Sequence, residues 1–540
     1  MNSSTHLKKN TSSKNTNTKT EKNKYYNIVI LIITGCFIGF AFPPFNFSFL
    51  IIPGYSLLIY IIHTSINYKK LFIRALFVFI VFDLISLSWI SLAGIRPDAD
   101  KFLILGGIFT IILHCLTLQI PVFVFYFILK QFRKIKLEIF SLILFPFIFT
   151  AYEFLMSVTE VSFPWLITGN AFSNNLEKIQ FAEITGVYGV SFWALCLSTL
   201  LYFLFINLNI TIKNRFESTP HKKPSFIPAI ILAFLFTFLL ISPNLYTIFS
   251  KSKELYSKNE NSDTLKVGII QPNIDPWEKW GMRYSELMNK YSDLIQDLYK
   301  KDKNVQLFVL PETAVTFYLL HPSYHKEYIV LKNISDSLKV PILLGFPDFF
   351  IYKDSITSNN KNIKKPRIDS KQSSDGSFFY DIFNSAVLLD TNNNTEALQK
   401  YNKIKLVIGS ERMPYQEKLT FLKDLIKWGV GLSSYQTGND TTIFNVYNKF
   451  RFNVAICYES IYPEFFSRFV DKGAQFSVII TNDGWWGKLQ GTYQHNQFAV
   501  FRAIENRRWL IRCANTGISG TIERFYPFCI NLELNLSTYS

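Results

Sequence analysis

The first half of the chain carries long apolar runs, and these limit its fold more than any other feature. Seven runs are present, at approximately 26–43, 45–65, 72–94, 103–129, 138–158, 187–209 and 225–248. Most are long enough to cross the hydrocarbon core of a bilayer as helices, which takes about 20 apolar residues. The segment Phe42-Pro43-Pro44-Phe45 leaves little room for a turn between the first two runs. Residues 26–250 are therefore predicted to form a membrane domain of about seven transmembrane helices.

Basic residues cluster between these runs in an alternating pattern. One cluster lies in the N-terminal tail, and three follow the second, fourth and sixth runs: Lys69, Lys70 and Arg74; Lys130, Arg133, Lys134 and Lys136; Lys213, Arg215, Lys222 and Lys223. With seven spans all four clusters lie on one side, which the positive-inside rule assigns to the cytoplasm. An odd number of spans then places residue 250 onward on the outer face. The basic clusters that orient the membrane domain supply much of the net charge of +16, so no nucleic-acid partner is expected.

The regions on either side of the membrane domain differ in composition. Residues 1–25 are polar and basic, too rich in Ser, Thr and Asn to bury a core, and are predicted to form a disordered cytoplasmic tail. From Leu265 onward, short apolar strands alternate with helical patterns, which is typical of an α/β domain. Residues 353–376 have the composition of a surface insertion.

The cysteines indicate neither a metal site nor a disulfide framework. The chain has 6 cysteines, without a CxxC pair or a Cys/His ligand spacing. Neither a metal nor another cofactor is therefore expected.

Cys457 is the cysteine whose surroundings point to chemistry. An apolar, strand-like segment, 452–456, leads to the polar turn Cys457-Tyr458-Glu459. A thiol held at a strand end can act as a nucleophile, because the rigid backbone aims its sulfur and nearby charge can lower its pKa. The alternative is a buried structural cysteine, which is the more common fate of a lone cysteine.

Two further residues are compatible with such a nucleophile. Glu312 follows an apolar strand directly, and Lys403 lies in a semi-apolar stretch. Each alone has an ordinary explanation, as a helix N-terminal acid and a solvated surface charge. Together with Cys457 they provide a general base for the thiol and a cation for the oxyanion of an acyl intermediate. A Cys–His dyad with His495 is the weaker alternative, because this histidine lies in a helix-like run.

The order of these three residues resembles the nitrilase, or carbon–nitrogen hydrolase, superfamily and its Glu-Lys-Cys triad. The matching segments are Pro311-Glu312-Thr313, Tyr401-Asn402-Lys403 and Ile456-Cys457-Tyr458-Glu459. Two later segments are also similar to that superfamily: 481–487, which reads TNDGWWG, and 502–507 followed by 514–519.

A nitrilase-like region behind a polytopic membrane region resembles the apolipoprotein N-acyltransferase family more narrowly. Other segments similar to this family are Phe163-Pro164-Trp165-Leu166, 185–192, and 271–274 through Trp280. The resemblance covers roughly residues 26–520. It implies a polytopic α-helical membrane domain followed by an α/β nitrilase-like domain, a four-layer αββα sandwich, over residues 263–520.

The family resemblance also implies residue roles. Cys457 corresponds to the nucleophile, Glu312 to the general base, and Lys403 to the oxyanion-stabilising and positioning group. Supporting or substrate-binding roles are implied for Glu411, Tyr458, Glu459 and Trp280.

The implied reaction has two steps and uses two membrane substrates. Cys457 takes an acyl chain from a phospholipid, typically phosphatidylethanolamine, and forms a thioester. The α-amine of the diacylglyceryl-modified N-terminal cysteine of an apolipoprotein then attacks, which yields an amide. This activity implies a multi-pass protein of the bacterial inner membrane whose catalytic domain faces the periplasm.

Two departures from the family pattern leave alternatives open. The segment after the lysine reads Leu406-Val407-Ile408, where the family usually carries Leu-Val-Pro. Residues 521–540 contain no run long enough to span a bilayer, so they are interpreted as a shortened C-terminus without the expected last transmembrane helix. The alternatives are a membrane-tethered amidase or nitrilase-type hydrolase and an inactive, C-terminally truncated relative.

Overall fold

The structure of the chain is a computed structural model. It describes residues 27–97, 99–216, 226–257, 264–352, 366–390, 398–418, 435–523 and 530–531. The predicted disordered tail lies outside the described residues, as do residues 353–365 of the predicted insertion and most of the predicted shortened C-terminus. Two compact units are present. The first comprises Met1–Ser88, Ile108–Tyr152 and Val190–Ser242, and the second comprises Trp89–Gly107, Glu153–Gly189 and Pro243–Ser540.

Helices dominate the chain up to Ser257. They are α1 Asn27–Phe40, α2 Ile51–His63, α3 Tyr68–Ser86, α4 Ser88–Ala93, α5 Phe102–Thr117, α6 Gln119–Lys134, α7 Glu138–Ser141, α8 Phe145–Val158, α9 Leu176–Ile179, α10 Ala182–Phe216 and α11 Ile227–Ser257. Within α10 the backbone leaves the helical region at Gly186, whose φ is +64°. Glycine tolerates this left-handed conformation because it has no Cβ.

Among the described residues, four helical segments are long and apolar enough to cross a membrane. They are Leu103–Lys134, Glu138–Val158, Ala182–Ile212 and Ile227–Ser250. Shorter apolar helices lie at Asn27–Phe40 and Ser48–His63. Many large apolar side chains on these helices are exposed, as expected for surfaces that face lipid rather than water. The total of seven spans stays a prediction.

The described part of the second unit contains two six-stranded sheets. The strands are β1 Val267–Ile269, β2 Leu307–Val309, β3 Ile342–Tyr352, β4 Lys371–Gln372, β5 Phe379–Leu389, β6 Gln399–Asn402, β7 Phe444–Val446, β8 Phe450–Ile456, β9 Phe476–Thr481, β10 Trp509–Ala514, β11 Gly520–Ile522 and β12 Ile530–Asn531. The first sheet has the order β1-β2-β3-β5-β4 with β6 also paired to β5, and the second has the order β12-β11-β10-β9-β8-β7. The helices are α12 Pro276–Lys279, α13 Tyr284–Lys301, α14 His325–Leu338, α15 Pro463–Asp471 and α16 Gln490–Asn506. The predicted fold class, apolar helices followed by a nitrilase-like α/β region, is confirmed.

Helix packing follows the sequence pattern closely. Along α13 the buried residues recur at helical spacing: Leu287, Met288, Tyr291 and Ile295. They join a hydrophobic cluster with residues of α14 and of the first sheet. A period near 3.6 residues places such side chains on one face, so burial of that face fixes the helix against the sheet.

Strand order determines where the predicted site residues lie. Strands β8, β9 and β10 are parallel neighbours, so their C-terminal ends meet at one edge of the second sheet. Cys457 directly follows β8, and Lys403 directly follows β6 of the first sheet. Glu312 lies shortly after β2. Polar side chains at such strand ends can be held rigidly by the buried sheets behind them.

Candidate active site

Cys457 lies in a sharp turn between strand β8 and a short 3₁₀ helix, Cys457–Ile461. Its φ of +51° is in the left-handed region, which is costly for a residue with a Cβ atom. The strand before it is buried, and Cys457 itself is only 8% exposed. A strained turn from strand to helix is a known way to present a nucleophile. The predicted position of the cysteine at a strand end is therefore matched by the structure.

The ammonium group of Lys403 lies between two carboxylates. Its Nζ donates to Oε1 of Glu411 at 2.9 Å and to Oε1 of Glu312 at 3.3 Å. The side chain is 1% exposed. Burial by itself lowers the pKa of Lys403, but Glu411 and Glu312, together with Cys457, raise it well above its ordinary value. The two carboxylates therefore favour the charged form of Lys403 inside the site.

Glu312 is held in place by a close backbone approach. A Cβ atom added to Gly345 would lie 2.7 Å from Cα of Glu312, so only glycine fits at this point of β3. The amide of Gly345 donates to the carbonyl oxygen of Pro311 at 3.1 Å, and its own carbonyl oxygen accepts from Ala314 at 2.8 Å. The segment that carries Glu312 is thus fixed against the first sheet.

Glu411 reaches the same cluster from a tight loop. Its Oε2 accepts from the backbone amide of Val407 at 2.7 Å, and Ile408 forms an isolated bridge with Arg412. The family's proline is replaced by Ile408, yet the loop places Glu411 against Lys403. Residues 419–434, farther along this loop, lie outside the described part of the chain.

Asn384, on strand β5, is a member of the cluster that sequence reasoning missed. Its Nδ2 donates to Oε1 of Glu312 and to Oε1 of Glu411, both at 2.9 Å. Its backbone oxygen accepts from the amide of Lys403 at 2.8 Å. Asn384 is buried, and among the described residues its Oδ1 has no hydrogen-bond partner. A polar residue within the apolar strand Phe379–Leu389 was the signal that could have identified it.

The thiol of Cys457 is held in its protonated form by its surroundings. Burial and the nearby carboxylate of Glu312 raise its pKa, Lys403 lowers it, Asp483 raises it, and a hydrogen bond with Thr481 lowers it. The net direction is upward. Such a thiol needs a base to become a nucleophile, and Glu312 is the carboxylate with the largest effect on it.

Glu459 connects the cysteine turn to the lysine segment. Its Oε2 accepts from the amide of Ile456 at 2.8 Å, and its Oε1 accepts from the amides of Ile404 at 2.7 Å and Lys405 at 3.0 Å. The Tyr401 hydroxyl also donates to it, at 2.6 Å. Burial raises the pKa of Glu459 to about 7. Glu459 therefore fixes the turn that holds Cys457 relative to the segment that holds Lys403.

Tyr458 and Trp280 lie apart from this polar cluster. The hydroxyl of Tyr458 donates to the carbonyl oxygen of Ser162 at 3.1 Å, and its ring stacks on that of Trp165. Tyr458 is thereby buried. Trp280 follows α12 and is 52% exposed, whereas none of the other predicted site residues is exposed.

Lys279 is a second buried cation that sequence reasoning missed. The side chain is 1% exposed, and its Nζ has no hydrogen-bond partner among the described residues. Burial lowers the pKa of Lys279 to about 7, although Glu312 and Cys513 act in the opposite direction. Its only sequence signal is a position between Trp277 and Trp280.

The cluster thus combines a thiol, a carboxylate and a charged ammonium group in a buried setting. This set can activate the thiol, form an acyl–sulfur bond and stabilise the oxyanion that arises on the way. Within the described ranges, no group of three or more His, Cys, Asp and Glu side chains has the arrangement of a metal site.

Comparison with known families is consistent with this chemistry. Residues 34–200 match the family model described as the apolipoprotein N-acyltransferase N-terminal domain, and residues 266–527 match carbon–nitrogen hydrolase. An apolipoprotein N-acyltransferase of Chlorobaculum tepidum is 30% identical over 514 residues, which covers 92% of this chain and 86% of the relative. One of Aquifex aeolicus is 29% identical over 497 residues and covers 91% and 92% of the two chains.

Among solved structures, the chain is similar to Saccharomyces cerevisiae Nit3, a member of branch 10 of the nitrilase superfamily. The two are 17% identical, with a TM-score of 0.33, over 49% of this chain and 83% of that one. At this level of similarity, the comparison carries no argument about activity.

Proposed function

The chain belongs to the apolipoprotein N-acyltransferase family, and on that premise we propose that it N-acylates lipoproteins. The acyl donor is a membrane phospholipid, with phosphatidylethanolamine as the expected one. The acceptor is the α-amine of the diacylglyceryl-cysteine at the N-terminus of an apolipoprotein. The observation that carries this proposal is the buried cluster of Glu312, Lys403 and Glu411 around the turn that holds Cys457.

In the first step, Glu312 takes the proton of the Cys457 thiol while the sulfur attacks the ester carbonyl of the phospholipid. The raised pKa of the thiol makes this base necessary. The carbon–sulfur bond forms, and the carbonyl π electrons move to oxygen as an oxyanion. Collapse of this intermediate breaks the carbon–oxygen ester bond, and the proton on Glu312 passes to the departing lysophospholipid oxygen.

In the second step, the neutral α-amine of the acceptor attacks the thioester carbon. Glu312 takes a proton from the attacking nitrogen, and the new amide bond forms as the carbon–sulfur bond breaks. The thiolate of Cys457 then recovers the proton from Glu312. The enzyme returns to its starting state, so no cofactor is needed.

Lys403 acts in both steps through its charge. The raised pKa keeps it protonated while the oxyanion forms and collapses. One such aimed cation is expected to stabilise each transition state by about 3–4 kcal/mol, comparable to one donor of an oxyanion hole. Glu411 and Asn384 hold the ammonium in place, and Glu459 and Tyr458 support the turn that bears the nucleophile.

The apolar helices suit a reaction between two lipid-anchored substrates. Holding the site beside a bilayer raises the effective concentration of both. We place residues 263–520 on the periplasmic face of a bacterial inner membrane, after about seven spans. Exposed Trp280 is proposed to contact lipid there. Protease accessibility in spheroplasts tests this orientation, and cleavage of the α/β domain only after the membrane is broken would contradict it.

Product analysis tests the proposed activity. Purified full-length protein is incubated with phosphatidylethanolamine and a fluorescent diacyl lipopeptide. We expect triacylated lipopeptide and lysophospholipid in equal amounts, and loss of both in Cys457→Ser and Glu312→Gln. Release of free fatty acid without triacylated product would indicate a hydrolase, and no consumption of either substrate would indicate an inactive relative.

A further inference from the structure

A buried polar network surrounds Cys457 and reaches both its thiol and its carbonyl oxygen. The carbonyl oxygen of Cys457 accepts from the hydroxyl of Ser460 at 2.8 Å and lies 3.1 Å from Nε2 of His495. These contacts fall at the residue whose backbone is in the left-handed region. Because that conformation is unfavourable for cysteine, the surroundings must hold it in place.

His495 is itself held from the opposite side of its ring. Its Nδ1 lies 2.9 Å from Oδ1 of Asp483, and its ring stacks on that of Trp165 with centroids 5.7 Å apart. His495 and Asp483 are both fully buried. The imidazole therefore has a fixed position and orientation behind the nucleophile.

Asp483 is kept ionised within this network. Burial by itself raises its pKa, but Arg512 and His495 lower the pKa of Asp483 to about 2. Nη2 of Arg512 donates to Oδ2 of Asp483 at 2.7 Å, which leaves Oδ1 for other partners.

Thr481 extends the network to the thiol side. Its hydroxyl donates to Oδ1 of Asp483 at 2.9 Å, and its interaction with the Cys457 thiol lowers the pKa of that thiol. The carboxylate of Asp483 thus contacts Thr481 on one side and His495 on the other, and Nε2 of His495 lies 3.1 Å from the Cys457 carbonyl oxygen and 3.0 Å from Oγ of Ser460. Thr481 is the last residue of β9, the parallel neighbour of the strand that directly precedes Cys457.

From this network we infer that Thr481, Asp483 and His495 are positioning residues for Cys457. They fix the sulfur and the left-handed turn in the orientation that attacks the acyl donor. The inference rests on the proposed function and assigns His495 a different role from a base in a Cys–His dyad. His495 contacts the backbone of the nucleophile, and the base remains Glu312. Misplacement of a reacting atom by about 1 Å can lower a rate about 100-fold, so such an effect is measurable.

The test compares two rates at Cys457 in the full-length protein. One is acyl-adduct formation from phosphatidylethanolamine in a single turnover, and the other is alkylation by iodoacetamide, a small reagent with weak orientational demands. Thr481→Val keeps the branched shape and removes the hydroxyl, Thr481→Ser restores the hydroxyl, and His495→Phe keeps the stacked ring. The matched control is Ser477→Ala, which removes a buried hydroxyl from the same strand, where Ser477 donates to Asn453.

We expect Thr481→Val and His495→Phe to slow adduct formation about 10- to 100-fold, without a change in the half-saturating phospholipid concentration. Alkylation should change less than about threefold, Thr481→Ser should recover most of the rate, and Ser477→Ala should match the unmodified protein. If His495→Phe does not fold, Thr481→Val decides alone. Adduct formation at the unmodified rate in Thr481→Val, or an equal loss of alkylation and adduct formation, would overturn the inference. Absence of any adduct in the unmodified protein would overturn the proposed function, and the inference with it.

Discussion

The ammonium nitrogen of Lys403 lies 2.9 Å from Oε1 of Glu411, closer than its 3.3 Å separation from Oε1 of Glu312. Glu411 is therefore the nearer counter-ion of the lysine. Glu312 is the carboxylate whose charge acts most strongly on the Cys457 thiol, so it is the one assigned as the base. The two acids of the site thus differ in task, one as a partner for the cation and one as a base.

Glu411→Gln tests this division. Loss of the nearer counter-ion should leave Lys403 less well placed, so we expect the rate of lipopeptide N-acylation to fall about 100-fold. Glu312→Gln should lower it further. The control is Glu417→Gln, on the same loop with a half-exposed side chain 3.4 Å from Arg412. Equal rates for Glu411→Gln and Glu417→Gln would contradict the assignment.

Asn384→Ala should lower the rate of lipopeptide N-acylation. The side-chain amide donates to Oε1 of Glu312 and to Oε1 of Glu411, so it fixes the position of both carboxylates. Without this donor the base and the counter-ion of Lys403 are less well placed, and we expect the rate to fall about 10- to 100-fold. The control Ser385→Ala alters the next residue of β5, whose hydroxyl donates to Asn402. An unchanged rate in Asn384→Ala, or an equal loss in both variants, would argue against this role.

Lys279→Met should stabilise the protein in a pH-dependent way. The folded state holds this lysine at a pKa of about 7, below the ordinary value of 10.5, so between these values the unfolded chain binds more protons. The free energy of unfolding of the unmodified protein should therefore increase as the pH rises from about 7 towards 10.5. Below pH 7 the full penalty of burying the charged lysine applies. Methionine removes a penalty on the order of a few kcal/mol near pH 7.

Thermal unfolding at pH 7 and pH 9 checks this expectation. The midpoint of Lys279→Met should exceed that of the unmodified protein by more at pH 7 than at pH 9. The control Lys300→Met changes an exposed lysine of α13 and should have a small, pH-independent effect. A lower midpoint for Lys279→Met at pH 7 would show that its ammonium is paired.

Much of the architecture could be predicted from the sequence because it depends on repeating patterns. Apolar length predicted the membrane-compatible helices, and alternating short strands and helices predicted the α/β region. Strand β8, for example, contains the predicted strand-like segment 452–456. Glu312 and Lys403 form an ion pair, and the family motifs had implied that these two residues lie in one site.

The residues that were missed carry weak sequence signals, and their roles become clear only after folding. Asn384 joins the site because β5 pairs antiparallel with β6, the next strand of the chain, and this pairing places it beside Lys403. Lys279 reads as a surface charge until burial is known. His495 was weighed only as a possible base for the thiol, whereas its ring nitrogen faces the backbone oxygen of Cys457. Pairing, burial and ring orientation are tertiary properties that a local pattern does not carry.

The most direct test of the account is to trap the acyl enzyme. Full-length protein is incubated with phosphatidylethanolamine without acceptor, and its intact mass is measured before and after hydroxylamine, which cleaves thioesters. One hydroxylamine-sensitive acyl chain on Cys457 is expected, absent from Cys457→Ala and formed at least about 100-fold more slowly in Glu312→Gln. An acyl chain on another residue, or unimpaired N-acylation of lipopeptide by Cys457→Ala, would contradict the account.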